Sequence, residues 1–287
     1  MGSRIVQAFK QRILDPDFVA EITQLPAIPP PGQTFVEDLR SVWAKHPVLV
    51  FPEQDLDPAG LLAFARQLGE FGVDPYIKAV PEHEHIVEVR REAAESTPIF
   101  GASWHSDWSF QAAPPSGTLL HAKTIPPIGG DTVFADCYRA YETLDRDIKD
   151  QLVGLCASHS AAPSYGPDGL FAKDDDTRSM QIVVSADAMQ TQIHPIVRTH
   201  PESGRKGLFI NHVYTTGITG KDPHQSRSLL RMLFKHMTQD AFLYRHQWRA
   251  DMLVLWDNRC VVHYADGGYE GYQRVMHRVT LAGERPC

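Results

Sequence analysis

Three stretches of the chain place apolar residues at the three- and four-residue spacing of an amphipathic helix. One begins after Asp57, a helix N-cap residue that is followed by Pro58 at the first helical position. The other two cover residues 136–155 and 224–243. We also predict a helical N-terminal segment over residues 1–25, because a proline-rich run separates it from the rest of the chain.

Between these helices lie short apolar runs of the length of a β-strand. The predicted strands are 46–51, 118–122, 131–134, 208–211, 252–256, 261–264 and 275–281. Many short strands with a few helices predict a mainly β fold with flanking helices, arranged as an antiparallel barrel or a sandwich. We expect one domain over residues 1–287, since single β domains of this class reach roughly 250 residues.

Residues 165–192 break this pattern with a long polar and irregular stretch. Long insertions of this kind are typical of active-site lids and of variable surface loops. The sequence leaves both interpretations open.

The charge and the cysteines exclude several classes of protein. The net charge is −7, whereas a general nucleic-acid binder is usually basic. No window approaches the ~18 uninterrupted apolar residues of a membrane span, and the N-terminus lacks the apolar core of a signal peptide. The four cysteines form no CxxC pair, so we expect a reduced, cytoplasmic protein with no nucleic-acid or membrane partner.

The first candidate for chemistry is the pair His105 and Asp107. On a strand, residues two apart point to the same face, so both side chains could bind one metal ion. The pattern is weak by itself, because 14 histidines produce such matches by chance. The similar stretches 83–85 and 200–202 are interpreted as chance matches.

The second candidate is His263, on a predicted apolar strand, followed fifteen residues later by Arg278. An isolated histidine on such a strand is more often a hydrogen-bonded core residue than a ligand. Arg278 alternates with apolar Val275 and Val279, which predicts a side chain directed into the protein or a cavity. A buried guanidinium needs a paired anion, and a bidentate carboxylate matches its geometry best.

A third candidate is the stretch from Gly129 to Thr132. Two successive glycines are typical of a hairpin turn with positive φ angles. Thr132 opens the next predicted strand, and its hydroxyl could serve a ligand.

Several long motifs, in order and with matching spacing, resemble one known family over residue 35 to the end. They are WHSDWSF (104–110), PPSGTLLHAKTIPPIGGDT (114–132), HP and RTHPESGRKGLFIN within 194–211, YRHQW (244–248), WDNRCVVHYA (256–265) and RVMHRVTLAGERP (274–286). The family is the taurine dioxygenase/2,4-dichlorophenoxyacetate dioxygenase (TauD/TfdA) family of Fe(II)- and 2-oxoglutarate-dependent oxygenases. The resemblance implies a double-stranded β-helix (jelly-roll) core with helices packed outside, and often a dimer or tetramer.

The resemblance also assigns roles to individual residues. The residues that match the iron ligands are His105, Asp107 and His263. Thr132 and Arg278 match the pair that binds the distal carboxylate of 2-oxoglutarate. We assign Arg274, on the same predicted strand, to 2-oxoglutarate binding as well.

The implied activity is oxidation of a substrate by dioxygen, coupled to conversion of 2-oxoglutarate into succinate and CO2. Two histidines and a carboxylate leave three positions open on a metal, which suits non-haem Fe(II). We expect hydroxylation of a small polar or anionic substrate: a carboxylate, a sulfonate or an amino-acid-like molecule. Tailoring of a natural product by hydroxylation, desaturation or cyclisation uses the same residues and stays open.

The motifs define the residues that contact the substrate less well. Asp74 matches the position of a histidine that contacts the sulfonate in the taurine enzyme, and a carboxylate there would repel a sulfonate. Lys78 resembles a lysine of the phenoxyacetate-type pattern, although a solvated loop explains both residues equally well. The residues expected around the substrate are Asp74, Tyr76, Lys78, Trp104, Trp108 and Phe110.

Two other classes of function compete with this interpretation. A zinc hydrolase could use the same two histidines and carboxylate, but it leaves Thr132 and Arg278 without a role. A non-catalytic barrel that binds a metabolite would not need an intact set of metal ligands beside an intact cosubstrate pair.

Overall fold

The computed structural model describes residues 9–25, 33–173 and 177–287, which form several antiparallel sheets flanked by helices. The strands are β1 Lys10–Asp15, β2 Val19–Thr23, β3 Val48–Phe51, β4 Val87–Arg91, β5 Gly117–Thr124, β6 Thr132–Asp136, β7 Cys156–Ser160, β8 Thr191–Pro195, β9 Val197–Thr199, β10 Lys206–Leu208, β11 Thr215–Ile218, β12 Leu243–His246, β13 Leu253–Asp257, β14 Val261–Ala265 and β15 Arg274–Leu281. The α-helices are α1 Gln33–Lys45, α2 Pro58–Leu68, α3 Cys137–Glu142, α4 Arg146–Leu152, α5 Ala162–Tyr165 and α6 Pro223–Met237. Three 3₁₀ helices cover Leu170–Lys173, Ala186–Met189 and Asp240–Phe242.

The largest sheet has seven strands in the order β1-β2-β3-β13-β5-β15-β4. Its neighbouring strands are antiparallel, except for the parallel pair β2 and β3. A three-stranded sheet, β12-β6-β14, carries His263, and a second one has the order β11-β7-β8. Strands β9 and β10 form a separate antiparallel pair.

The two sheets that matter for the site are stacked between layers of helix. Along β13, Leu253 and Leu255 pack in the core with α1 and α2, while Val254 and Trp256 pack in the core that contains Phe134 of β6. This alternation follows from the two-residue period of a strand. The opposite face of the β6 sheet packs against α3 and α6. A strand buried on both faces needs apolar residues throughout, and β13 is buried at every position.

The predicted N-terminal helix is wrong for the part that the structure describes, and residues 1–8 lie outside that part. Residues 10–23 form the antiparallel hairpin of β1 and β2, and β2 then pairs with β3. The backbone of β2 binds the open edge of β3, where Val48 N donates to Phe18 O at 3.0 Å. This long-range pairing decides the local structure, which a local pattern does not reveal. The proline-rich run 26–32 also lies outside the described residues.

The other helices follow the prediction with shorter limits. The helix after Asp57 is confirmed as α2, with its cap bond from Gly60 N to Asp57 Oδ1 at 2.7 Å. The stretch 136–155 is divided into α3 and α4, and the stretch 224–243 ends as a helix at Met237. Asp240–Phe242 of this stretch form a 3₁₀ helix, and its last residue, Leu243, begins β12 and pairs with Ala135 of β6.

The predicted strands are found, with one shift. The run 208–211 lies mostly after a strand, since β10 ends at Leu208. None of the described helices is long and apolar enough to cross a membrane. All four cysteines are free thiols.

Two buried histidines make the stability of the fold depend on pH. Burial lowers the pKa of His159 to about 3 and that of His246 to about 4. Below pH 6.5 these histidines are therefore protonated in the unfolded chain but not in the native protein. The free energy of unfolding falls as the pH drops towards the pKa values of the histidines in the folded protein. Each histidine is expected to lower the free energy of unfolding by up to about 2 kcal/mol between pH 7 and pH 5.

Urea denaturation at pH 7 and pH 5 measures this difference, with His246→Gln as the comparison. We expect a smaller loss of stability in the variant. An equal loss in both proteins would show that His246 is not held neutral by the fold. Protonation of Asp136 has the opposite effect on the free energy of unfolding, because burial raises its pKa to about 6. This contribution is the same in the wild type and in His246→Gln.

Candidate active site

His105 and His263 are brought together by a single β-bridge. His105 N donates to His263 O at 2.9 Å, and His263 N donates to His105 O at 2.8 Å. The two imidazole ring centroids lie 4.3 Å apart. His105 forms only this isolated bridge, so the condition that His105 and Asp107 share one face of a strand is not met. The chain turns at Asp107, and the next residue, Trp108, has a φ of +46°. A bulky residue is rarely found at such an angle, which is typical of functional sites.

Asp107 lies beside the two histidines and is buried. The ligand-type atoms of His105, Asp107 and His263 all lie within 4.8 Å of one another. Burial alone would raise the pKa of Asp107, but the Arg278 guanidinium and the two histidines outweigh it and hold the pKa well below its usual range. Burial lowers the pKa of His263 to about 3, so this imidazole is neutral. An ionised carboxylate and a neutral imidazole are the forms that bind a metal.

Hydrogen bonds orient these side chains from behind. His105 Nδ1 lies 2.7 Å from Ser103 O, which leaves its Nε2 for a ligand. Thr118 Oγ1 donates to Asp107 Oδ2 at 2.6 Å. Asn258 in turn donates to Thr118 Oγ1 at 2.8 Å, and its own backbone carbonyl accepts from the hydroxyl of Ser106. Metal-binding side chains are usually held in place by such hydrogen bonds to neighbouring hydroxyl and carbonyl groups.

A second buried group of potential ligands, His200, Asp257 and Cys260, has a structural role instead. His200 Nε2 lies 3.0 Å from Asp257 Oδ2, and its Nδ1 accepts from two backbone amides. Asp257 also accepts from Arg259 through both carboxylate oxygens. Both nitrogens of His200 and both oxygens of Asp257 are therefore occupied within the protein.

A cavity of about 430 Å³, including its open mouth, lies next to the two histidines and Asp107. Its other polar lining residues are Thr132, Arg274 and Arg278. All six residues expected to hold iron and 2-oxoglutarate are buried, with 6% exposure or less. The structure thus brings all six to one cavity.

Arg274 is buried in this cavity without a complete set of partners. Within the described residues, its Nε and Nη2 atoms make no hydrogen bond. Burial lowers its pKa, in the direction expected for a desolvated cation. An unpaired buried guanidinium is costly unless an anion binds to it. The only signal for Arg274 in the sequence is its strand position, four residues before Arg278 and on the same face.

The turn before Thr132 lies against Arg274, one of the residues that line the cavity. Gly129 and Gly130 have positive φ angles, but β5 and β6 on either side belong to different sheets, so the predicted hairpin is wrong. A Cβ at Gly130 would lie 3.3 Å from Arg274 Nε. Thr132 opens β6 as predicted, and its hydroxyl accepts from Trp248 Nε1 at 2.9 Å.

Arg278 has the paired anion that its burial predicted, and this anion is Asp74. Arg278 Nη2 donates to Asp74 Oδ1, and Arg278 Nη1 lies 3.6 Å from Asp107 Oδ1. Asp74 also accepts from Trp108 Nε1 at 2.8 Å and from Thr280 Oγ1 at 3.1 Å. Asp74 is therefore not a solvated loop residue: it lines neither cavity, but it is paired with Arg278, which lines the first one.

The other residues expected around the substrate have different positions. Lys78 is exposed, while its neighbours Tyr76 and Ile77 are buried, and it lines neither cavity of the site. Trp104 packs edge-on against Tyr264, with ring centroids 4.6 Å apart, and lines neither cavity of the site. Next to His105 on extended backbone, its side chain points to the opposite face.

A second, aromatic cavity adjoins the first and shares Phe100, Gly101 and His105 with it. It encloses about 530 Å³, including its mouth, and is lined by Tyr165, Phe171 and Tyr214 among others. These aromatic residues were not predicted as a group, since they lie in irregular segments without a motif. The predicted pocket residues Tyr76, Trp108 and Phe110 pack behind them: Tyr76 stacks on Tyr165 and Phe110 contacts Tyr214, with ring centroids 4.8 and 4.9 Å apart.

Comparison with known proteins agrees with this geometry. Residues 10–280 match the family described as "Taurine catabolism dioxygenase TauD, TfdA family". The chain is 33% identical over 287 residues to an α-ketoglutarate-dependent 2,4-dichlorophenoxyacetate dioxygenase of Burkholderia sp. (strain RASC), covering 95% of this chain and 94% of that one. It is 32% identical over 271 residues to an α-ketoglutarate-dependent sulfate ester dioxygenase of Pseudomonas putida, covering 93% and 87%.

Solved structures show the same likeness. A putative α-ketoglutarate-dependent taurine dioxygenase from Burkholderia xenovorans superposes with a TM-score of 0.80 at 27% identity, covering 97% of this chain and 94% of that one. AAD-2 in complex with Mn(II) and N-oxalylglycine has a TM-score of 0.77 at 31% identity, with coverage of 97% and 98%. The resemblance inferred from the motifs is confirmed. The chain belongs to the TauD/TfdA family and is an α-ketoglutarate (2-oxoglutarate)-dependent dioxygenase.

Proposed function

We propose that His105, Asp107 and His263 hold Fe(II), and that Arg274 and Thr132 bind the distal carboxylate of 2-oxoglutarate. The observation that carries this proposal is the unpaired guanidinium of Arg274 in the cavity that holds the three ligand residues. A dicarboxylate supplies the missing anion, and a hydroxyl such as that of Thr132 adds a neutral donor.

The donor set fits iron. Two imidazoles and one carboxylate with open positions suit non-haem Fe(II) in oxygenases. When bound, iron supplies the activation of dioxygen that oxidises the substrate while 2-oxoglutarate is converted into succinate and CO2. The hydrogen bonds from Thr118 and to Ser103 hold Asp107 and His105 in their orientation.

The expected pair of Thr132 and Arg278 is revised by this geometry. Arg278 is held by Asp74 and directed towards Asp107, so it stabilises the charge of the metal ligand. Arg274 carries the free donors and takes the distal carboxylate. Arg278 keeps one unpaired buried nitrogen, Nε, within the described residues.

For the substrate, we propose a small polar or anionic molecule that is hydroxylated: a carboxylate, a sulfonate or an amino-acid-like compound. The relatives act on 2,4-dichlorophenoxyacetate and on sulfate esters, according to their names. The aromatic cavity beside His105 would hold the apolar part of such a molecule and exclude water from it. Natural-product tailoring remains an alternative within the same chemistry, whereas a zinc hydrolase would leave Arg274 unused.

For the architecture, we propose that the seven-stranded sheet and the β12-β6-β14 sheet form the jelly-roll core of a single domain. Support comes from their face-to-face packing and from the position of His263 on β14, at the edge of the three-stranded sheet.

The test of the activity is oxygen consumption and succinate formation with Fe(II) and 2-oxoglutarate. A panel of small carboxylates, sulfonates and amino acids is added in turn. We expect at least one compound to stimulate both signals in equal amounts. Stimulation by large neutral molecules alone would contradict the proposed substrate class.

We also propose that the segment 165–192 is a lid over the aromatic cavity. Tyr165 and Phe171 of this segment line the cavity, and Glu95 Oε2 accepts from Ser179 N at 3.0 Å and from its hydroxyl at 2.6 Å. Glu95 thus anchors the far side of the segment. We expect Glu95→Gln to make the segment several times more sensitive to limited proteolysis, because a neutral amide forms weaker hydrogen bonds than a carboxylate.

Proteolysis of the wild type is measured with and without Fe(II), 2-oxoglutarate and a substrate. Slower cleavage in the complete mixture is expected. Cleavage that is unaffected by these additions, in both the wild type and the variant, would contradict the lid. Glu142→Gln is the matched control, because Glu142 pairs with Arg205 away from this segment.

A further inference from the structure

The charges around the two cavities balance almost completely within the protein. Arg274, Arg278 and Asp107 line the first cavity, and Asp74, which lies outside its lining, pairs with Arg278, so that two arginines are matched by two aspartates. Adding Fe(II) with two positive charges and 2-oxoglutarate with two negative charges leaves this balance unchanged. The loaded site therefore has no spare positive charge for an anionic substrate.

Asp74 is the residue that creates this balance. It reaches Arg278 from 204 positions away in the chain, and its side chain is only 10% exposed. Both of its oxygens are used, by Arg278 and Trp108 on one side and by Thr280 on the other. The carboxylate of Asp74 thus occupies Nη2 of Arg278, and Nη1 faces Asp107, so that only Nε stays without a partner among the described residues.

The aromatic cavity supplies no replacement cation among its described lining residues. The ionisable ones are His105, Tyr165 and Tyr214, and burial raises the pKa of both tyrosines, which keeps them neutral. The nearby arginines are paired with glutamates. These pairs are Arg90 with Glu88 and Glu92, and Arg91 and Arg178 with Glu95. An acid buried here would lack a partner, which is costly in a low-dielectric site.

We propose that Asp74 determines the charge selectivity of the enzyme, so that the preferred substrate places an uncharged or zwitterionic group beside Arg278 instead of a free acid. This inference rests on the proposed function; of the substrates proposed there it keeps the polar and amino-acid-like molecules without net charge and excludes free carboxylates and sulfonates. Carboxamides, esters and amino acids with an apolar side chain have this chemistry.

Two matched pairs of compounds test the proposal. The first is 2,4-dichlorophenoxyacetate and its carboxamide; the second is 3-phenylpropanoate and the zwitterion phenylalanine. Each compound is titrated without oxygen into the enzyme loaded with Fe(II) and 2-oxoglutarate, and its binding is followed by the change in the visible absorption band. We use the wild type, Asp74→Asn, and Thr280→Val as the control that removes a hydrogen bond from Asp74 but no charge.

In the wild type, the uncharged or zwitterionic member of each pair is expected to bind at least about tenfold more tightly than the acid. In Asp74→Asn this preference falls by about tenfold or more, because Arg278 becomes available to the acid. Thr280→Val changes the preference by less than about threefold.

Equal or tighter binding of the acids by the wild type overturns the proposal, as does an unchanged preference in Asp74→Asn or the failure of all four compounds to bind. If Asp74→Asn does not fold, the preference of the wild type decides, with Asp74→Ser as the second variant. Failure of the proposed function is distinguishable, since the absorption band with Fe(II) and 2-oxoglutarate would then not form before any probe is added.

Discussion

Substitution of His263 by alanine is expected to abolish Fe(II)-dependent turnover. His263 is one of three buried residues whose ligand atoms lie within 4.8 Å of one another, and it is neutral, as a metal ligand must be. Loss of a residue that supports a ligand already costs about 10–100-fold, so loss of the ligand itself is expected to cost about a thousandfold or more. The measurement is the visible band that forms when Fe(II) and 2-oxoglutarate are added without oxygen, together with succinate production.

The chain offers a matched control in the second buried cluster. Cys260→Ser changes a potential ligand atom beside His200 and Asp257, where hydrogen bonds and Arg259 already satisfy both residues. We expect this variant to keep the band and the turnover. A band that survives in His263→Ala, or that disappears in Cys260→Ser, would contradict the assignment of the metal to His105, Asp107 and His263. Circular dichroism of both variants shows whether the fold is intact.

Substitution of Arg274 by glutamine is expected to raise the concentration of 2-oxoglutarate needed for half-maximal turnover by about 100-fold or more. Arg274 is the buried guanidinium whose Nε and Nη2 find no partner within the described residues. A charged hydrogen bond to a carboxylate in a desolvated site is among the strongest that a protein forms, and its loss costs several kcal/mol. Iron binding is expected to persist, because Arg274 touches none of the three ligand residues in the hydrogen bonds that the structure shows.

The same variant has a second signature in the absence of 2-oxoglutarate. Removal of an unpaired buried charge relieves its desolvation cost, so the melting temperature of the unliganded protein should stay equal or rise. The stabilisation that 2-oxoglutarate gives to the wild type should be lost. Arg245→Gln is the control, since Arg245 is half exposed and pairs with Asp131 and Asp266 at the surface. A normal response of Arg274→Gln to 2-oxoglutarate would return the role to Arg278.

Local pattern predicted most of the strands because they are buried on one or both faces. In β13 every residue is buried, and in β15 seven of the eight are buried. Such runs of apolar residues are visible in a single sequence. The N-terminal hairpin was not predicted, because β2 is stabilised by pairing with β3, which lies 25 or more residues further along the chain. Local propensity does not contain that information.

Some residues of the candidate site could likewise be predicted from the sequence, and others could not. The metal ligands could be assigned from sequence, since His105, Asp107 and His263 lie in long motifs whose order and spacing match a family. The aromatic wall of Tyr165 and Tyr214 could not, because these residues come from irregular segments that only the packing of the chain brings to His105.

Residue types and their spacing along the chain thus determined by themselves the strand pattern, the three metal ligands and the presence of two arginines on one face of β15. Tertiary structure alone decided which arginine is free. Asp74 pairs with Arg278 across 204 residues, while Arg274 remains without a complete set of partners among the described residues. The physical reason is that the state of a buried charge depends on every group within a few ångströms of it, and these groups come from distant parts of the sequence.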